Sequence, residues 1–313
     1  MLSRIADSLF WLNRYMERAD GILRVTSIHY SLSLDKDVNR STTWKPVLEM
    51  FTTMKKQEIE ICENEPILVL KKILVNTENT NSLKILINKA RENARGMQDH
   101  ITKEVWEQVN GMYHLINHSS VLDQIDSFQG PELVELFKKQ CVLYTGITEI
   151  TMSRGIGWQF MNLGKFVERC LQTIVLTEKQ LQSLTLESRE LNDILQWRYL
   201  LLSLSGYEQH LKTYRSADHN YNALHQILLN ENFTRSLIYS LAHIDYCLKK
   251  ITVKNHTEEA ENLLRSFGQL YSKVKFMELK KFDNSSLQLF LKQTKHELLD
   301  FSSNLARHFF SYS

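Results

Sequence analysis

This sequence predicts an all-α fold, a multi-helix bundle built from two similar halves, on three observations. The 313 residues include only 10 Gly and 3 Pro, too few for the turns that an all-β or α/β chain of this length needs. Apolar residues recur at steps of three and four, the period of one helix face, and no segment shows convincing alternation with turn punctuation. A block near the start also returns at the midpoint with order and spacing kept. Ser3-Arg4, Leu12, Arg14-Tyr15, Met16 and Glu17-Arg18 correspond to Ser153-Arg154, Leu163, Lys165-Phe166, Val167 and Glu168-Arg169, at an offset of 150 to 151. Trp44 against Trp197, and Asn76 with Ser82-Leu83 against Asn230 with Ser236-Leu237, carry it on at offsets of 153 and 154. The halves, about 1–150 and 151–313, read as one interleaved domain over 1–313. No Gly/Ser-rich or Pro-rich linker parts them, and a helix buries its apolar stripe only against other helices.

The first helix spans residues 2 to 30, where Ile5, Leu9, Leu12, Met16, Ala19 and Leu23 form one stripe. A second is expected over 44 to 61 with Pro46 in its first turn, and a short third over 65 to 75 behind Glu65-Pro66. Asn81-Ser82 supplies an N-cap for a helix running to about His100, since those side chains can accept from the free amides of the first turn. Thr102 caps the next helix, with Glu104 placed to suit its dipole. The stretch Ser119 to Gly130 reads as a loop or a poor helix. From Pro131 the chain is helical to about Met152, breaks at Gly155-Ile156-Gly157, and enters a second long helix over 157 to 183. Another follows over 189 to 204, then shorter ones between Tyr207 and Leu229 and one from near Phe233. Two long amphipathic helices, 257 to 278 and 285 to 311, close the pattern.

Composition narrows the function classes. Hydrophobic residues at 43% and charged ones at 24% are ordinary for a soluble globular protein. The 38 basic and 36 acidic residues are well mixed, with only short clusters such as Lys55-Lys56 and Lys280-Lys281, so nucleic acid is not an expected partner. Cys62, Cys141, Cys170 and Cys247 are far apart and lack metal-finger spacing, which reads as small buried hydrophobes in a reducing compartment. The N-terminus is charged where a signal peptide would be apolar, and no run approaches about 18 apolar residues. The expected location is the cytoplasm, with no membrane span.

Candidate chemistry falls on two charged clusters. In the first helix Arg14 and Arg18 flank Glu17, and the second copy keeps Lys165, Glu168 and Arg169. Neighbours on a helix point about 100° apart, so Glu17 and Arg18 cannot share one narrow face, and at least one should reach another helix. Two readings stay open: an ion-pair network that fixes helix register, or a cleft that grips a carboxylate or phosphate by bidentate contact. The copy with Lys165, Glu168 and Arg169 reads as structural. The second cluster, Arg91, Glu92 and Arg95, is not duplicated, which suits a single functional site as well as it suits drift. Glu17 and Arg18 are its expected partners across the bundle. His114 and His118 stand at i, i+4 without the Glu of an HExxH motif, so no metal is expected. No Glu-x-x-His repeats, phosphate loop, nucleophile elbow or supported Cys/His dyad is present. No cofactor is implied, catalysis is not the favoured reading, and the five tryptophans are expected to pack the core.

The run Leu2 to Ala19, the segment Ala90 to Arg95, Trp106-Glu107-Gln108, and Ser153-Arg154 through Gly157-Trp158 to Glu168-Arg169 together resemble the bacterial alpha-E superfamily. The resemblance covers essentially the whole chain. It implies a helical fold with a Glu-x-x-Arg signature, which Glu92-Asn93-Ala94-Arg95 fits. It also implies association with circularly permuted ATP-grasp ligases and transglutaminase-like peptidases in systems that make or modify peptides, an association that carries no mechanism by itself. Gly164-Lys165-Phe166 stands where a more arginine-rich stretch is usual, and Cys170 follows the Glu-Arg pair. Three functions are therefore weighed: an accessory protein docking on an ATP-grasp ligase, a ligand-binding module or enzyme using the Glu/Arg cluster, and a structural homo-oligomer built on the long terminal helices.

Overall fold

A computed structural model describes residues 3–33, 43–184, 191–215, 218–253 and 257–310. Within them the fold is all-helical, with no strand. The helices are α1 (Ser3–Ser33), α2 (Lys45–Phe51), α3 (Lys56–Cys62), α4 (Pro66–Leu74), α5 (Leu83–Gly96), α6 (Lys103–Ile116), α7 (Ser120–Asp126) and α8 (Gly130–Thr151). They continue with α9 (Ile156–Ser183), α10 (Leu191–Ser203), α11 (Tyr207–Thr213), α12 (His219–Leu229), α13 (Leu237–Thr252), α14 (Glu258–Lys275) and α15 (Asn284–Phe309). Leu2, residues 189–190, residues 216–217 and Ser311, which fall within the expected helical stretches, lie outside the described residues.

The caps fall where short side chains can satisfy first-turn amides. Ser82 accepts from the Ile85 amide, Thr102 from Val105, Ser236 from Tyr239 and Thr257 from Ala260, each removing one donor that a helix start leaves open. One expected helix is corrected. The span 44 to 61 is not continuous, because Thr52 and Lys55 are extended and α2 and α3 lie on either side of them. The β-branched pair Thr52-Thr53 disfavours helix. The Thr52 hydroxyl donates to the Leu48 carbonyl at 2.7 Å, and α3 starts where the Lys55 amide donates to the Glu58 carboxylate at 2.7 Å, the half of a capping box that a lysine N-cap allows. Within Ser119 to Gly130, residues 120–126 form α7. Helix α5 stops at Gly96, and a 3-10 turn over Gln98–His100 takes up the rest of its expected length.

The chain divides into two compact units, residues 1–10 with 154–313 and residues 11–153. In the first, α9 is the central helix and packs on α13, α15 and α10, while α14 bridges α13 and α15. Its core includes Leu9 and Phe10 from the start of α1, both essentially fully buried. Phe10 lies 5.3 Å from Phe310 and Phe160 lies 5.4 Å from Phe309, ring to ring. Gly164 of α9 is the contact point for the α1 backbone, since a Cβ there would stand 2.0 Å from the Phe10 carbonyl oxygen. In the second unit α6 packs between α5 and α8, and α4 meets α2, α3, α5 and α7. Trp44 closes its edge, 2% exposed and 4.6 Å from the His29 ring. Of the tryptophans, Trp44 and Trp197 are core residues, whereas Trp11, Trp106 and Trp158 are half-buried.

Candidate functional site

Three turns of α1 carry the first charged cluster. Asn13, Arg14 and Glu17 are buried, at 5%, 6% and 6% exposure, which is unusual for groups that cost several kcal/mol to strip of water unless they are compensated. Asn13 accepts from the Tyr144 hydroxyl of α8. The Arg14 guanidinium lies over the Trp11 ring at 4.6 Å, and Trp11 stacks on Tyr15. Arg18, one residue beyond Glu17 and so about 100° round the helix, donates to Asn81 Oδ1 at 3.2 Å. Asn81 precedes the Ser82 cap, so Arg18 holds the turn that enters α5. Beneath this face burial pushes the Cys141 thiol of α8 well above its ordinary range, with Asp20 and Glu17 adding to the rise and Arg24 opposing it.

The second cluster lies on α9. Glu168 is 3% exposed. Arg169 donates to the Thr234 carbonyl at 3.1 Å, and one turn on Thr173 donates to the Arg235 carbonyl at 3.0 Å. Thr234 and Arg235 precede the Ser236 cap of α13, so Arg169 holds the entry to that helix. The Lys165 ammonium lies 4.8 Å and the Arg169 guanidinium 5.3 Å from the Phe166 ring, within cation–π range.

At the far end of α5, Arg91 donates through Nε to Asn110 at 2.8 Å and through Nη1 to Glu92 at 3.1 Å, and its guanidinium covers the Tyr113 ring at 4.2 Å. Arg95 meets Glu92 at 3.7 Å, with both side chains more than half exposed. Such pairs contribute about 0–1 kcal/mol. Arg18 thus meets the N-terminal end of α5, whereas Glu92 and Arg95 lie about 15 to 20 Å along its axis. The structure brings Arg91, Glu92 and Arg95 together and leaves Arg18 at the other end of the helix.

A family model for Alpha-E, described as a predicted alpha-helical domain with a conserved ER motif, matches residues 1–310. The chain belongs to the Alpha-E family. Searches of curated proteins and of solved structures return no match. In this Alpha-E chain Glu and Arg stand next to one another in that order twice, at Glu17-Arg18 and Glu168-Arg169. Both pairs have a buried carboxylate beside an arginine bound to the turn ahead of a serine-capped helix. The motif can therefore fix where α5 starts relative to α1, and where α13 starts relative to α9.

Among the described residues no group of three His, Cys, Asp or Glu could hold a metal ion. His118 instead shares a 2.8 Å hydrogen bond with Ser120. No helix of the described residues is long and apolar enough to cross a membrane. Sequence reasoning missed a polar network between α11 and α12. His210 shares a hydrogen bond with Gln226, which donates to the Gly206 carbonyl. Tyr214 shares one with His225 and accepts from Asn230. Burial lowers the pKa of both histidines. The available signal was the i, i+4 spacing of His210 with Tyr214 and of Tyr221 with His225.

Proposed function

We propose that this Alpha-E protein is a non-catalytic helical accessory protein of the bacterial cytoplasm that docks on an ATP-grasp peptide ligase, alongside a transglutaminase-like peptidase. The observation that carries this reading is Phe128. It follows α7 with φ 63°, the left-handed region that costs an ordinary residue roughly 1–2 kcal/mol. The Phe128 amide bonds the Ile125 carbonyl and the Gln129 amide the Gln124 carbonyl, the Schellman pattern whose left-handed position is usually Gly. The ring is nevertheless 72% exposed, so the strain is not offset by burial in the chain's own core. A bulky aromatic held out at a conformational cost is the kind of anchor that interface hot spots use.

The test sets stability against binding. Phe128→Gly should raise the melting temperature by roughly 2 °C, as about 1 kcal/mol does in a chain of this size. The same variant should be retained at least tenfold less by the tagged neighbouring ligase. Equal retention of variant and wild type, or no co-purification of wild type at micromolar concentration, would sink the reading.

The two halves are proposed to be copies of one ancestral unit. Support comes from the matched roles of Arg18 and Arg169 at helix entries and from the Ser82 and Ser236 caps. A second reading, an anion-binding module using Arg91, Glu92 and Arg95, draws support from the exposure of the Arg95 guanidinium. A thermal-shift screen with nucleotides, amino acids and short peptides separates it, because a ligand bound only by the native state stabilises it. A shift lost in Arg95→Ala would favour this module over the accessory reading.

A further inference from the structure

Helix α11 buries one side chain, and that side chain is an imidazole. Of its 7 residues only His210 enters the core, whereas Glu208, Leu211, Lys212 and Thr213 are exposed. A helix this short does not hold itself together in water, so its neighbours must keep it in place. The side-chain bonds that do so are polar. Gln226 of α12, fully buried, donates to the Gly206 carbonyl at 2.8 Å and shares a 2.7 Å bond with His210 Nδ1. At the other end of α11 the Tyr214 hydroxyl shares a 2.8 Å bond with His225 Nδ1 and accepts from Asn230 at 3.0 Å.

This network fixes where each hydrogen lies. Gln226 uses its amide NH2 on Gly206, so its Oε1 faces His210, and His210 Nδ1 must carry a hydrogen. Asn230 Oδ1 accepts from the Asn232 amide at 2.9 Å, so its NH2 faces Tyr214. The tyrosine oxygen receives that hydrogen and gives its own to His225 Nδ1, which must be bare. A neutral imidazole with a bare Nδ1 already carries hydrogen on Nε2, so an added proton lands on Nδ1 and removes the acceptor of the Tyr214 bond. At His210 burial disfavours the added charge, against the pull of the Gln226 bond and with help from His219.

The surrounding charges leave both imidazoles uncompensated. From α12 the Tyr221 ring lies 6.1 Å from that of His225, and the Lys280 ammonium is 5.2 Å from Tyr221. From α10 Arg198 covers Tyr207 at 5.3 Å, while Asp193 lies about 15 Å before the end of that helix. On α13 Tyr239 and His243 stack on Phe166 of α9, and Asp245 pairs with Lys249. Glu231, beside Asn230, faces Lys275 at 4.0 Å. Among the described residues no carboxylate acts on either histidine. The turn into α11 also covers something: a Cβ on Gly206 would stand 2.6 Å from the Phe233 ring and 2.9 Å from Gln226, and both of those side chains are buried.

We infer that α11 is a pH-operated flap, docked on α12 while His210 and His225 are neutral and released when they take up protons, uncovering Gln226 and Phe233. The inference does not rest on the accessory reading, whose anchor Phe128 belongs to the other compact unit. Released imidazoles titrate near 6.5 and docked ones lower. Below pH 6.5 the open form therefore binds protons that the closed form refuses, and the opening constant grows as pH falls, by up to about tenfold per pH unit for each histidine.

Hydrogen exchange of the full chain at pH 7.5 and pH 5.0, corrected for the intrinsic pH dependence of exchange, reads this opening. The His210 and Tyr214 amides, bonded to the Gly206 and His210 carbonyls, should open at least tenfold more at the lower pH relative to amides of α13. Using α13 as the reference cancels acid destabilisation of the whole chain. His210→Gln/His225→Gln keeps a hydrogen-bonding group at both places without the titration, and should respond to pH no more than α13 does. Tyr214→Phe removes the hydrogen that requires a bare Nδ1, so it should raise opening at pH 7.5 and reduce the dependence on pH. His243→Gln, outside the network, should respond as wild type does. Amides of α11 that keep pace with α13 at both pH values overturn the inference, as does a wild-type response in the double variant. Should far-UV circular dichroism show that the double variant is not helical, Tyr214→Phe decides, and an undiminished pH response in it overturns the inference.

Discussion

His29 sits 4.6 Å from the Trp44 ring, and burial pulls its pKa down to about 4 against a smaller upward pull from a hydrogen bond to the Thr43 backbone. Its Nε2 is buried with no hydrogen-bond partner, so the neutral imidazole fits and the cation does not. In the unfolded chain the same ring titrates near 6.5. Between pH 6.5 and about 4 the unfolded state therefore binds a proton that the native state refuses, and stability rises with pH across that window. His29 costs nothing of this kind above pH 6.5. Acidification toward pH 4 should remove about 3 kcal/mol through this one residue. Urea unfolding at pH 7.5 and pH 4.5 checks it: His29→Gln should lose less stability between the two than wild type. His210 and His225 shift in the same direction, and the comparison with wild type isolates His29 from them. An identical loss in the variant would assign the acid sensitivity elsewhere.

Among the elements, α9 depends on Gly164. With 2.0 Å between a virtual Cβ and the Phe10 carbonyl oxygen, the clash is with backbone, which cannot rotate away. Gly164→Ala should cost about 3 kcal/mol, the upper range for overpacking, although alanine is the better helix former by roughly 1 kcal/mol. Gly146→Ala, with open space above it, should instead be neutral or stabilising, and thermal melts of the two variants make the comparison. Gly164 also marks how far the elements could be read in advance. A glycine inside a strong helical pattern signals close packing, yet nothing local says that the approaching chain is Phe10, 154 residues away. Helix periods and the caps at Ser82 and Thr102 were legible because their physics is local. The break at Thr52 was not, because Pro46 and the charged run after it outweighed two threonines in the pattern. Within the site, geometry along α1 already required Arg18 to turn away from Glu17. Its partner Asn81 is 63 residues on, beyond any spacing rule. Pairing Arg18 with Glu92 and Arg95 failed to anticipate that Arg18 meets α5 at its opposite end.

Across the whole molecule the four cysteines are free and buried. Burial pushes the Cys247 thiol up to about 12 and raises those of Cys141 and Cys170 as well. Thiolate is the reactive form, so labelling at pH 8 should require opening of the surrounding helices and run at least a hundredfold slower than for a free thiol. Cys62 should react first, because its upward shift is partly offset by Lys72. Mass spectrometry of a time course gives the order, and simultaneous fast labelling of all four in native buffer would contradict it. Cores that protect each site this well are assembled from distant parts of the chain. Phe10 packs against Phe310, 300 residues later in the chain. At a synthesis rate of about 5–20 residues per second, Phe10 waits roughly 15 to 60 s for its partner to be made. Until α9 emerges, with Gly164 154 residues on, the ribosome carries a nascent helix end whose apolar side chains lack their core, and this is the period in which a chaperone would find it.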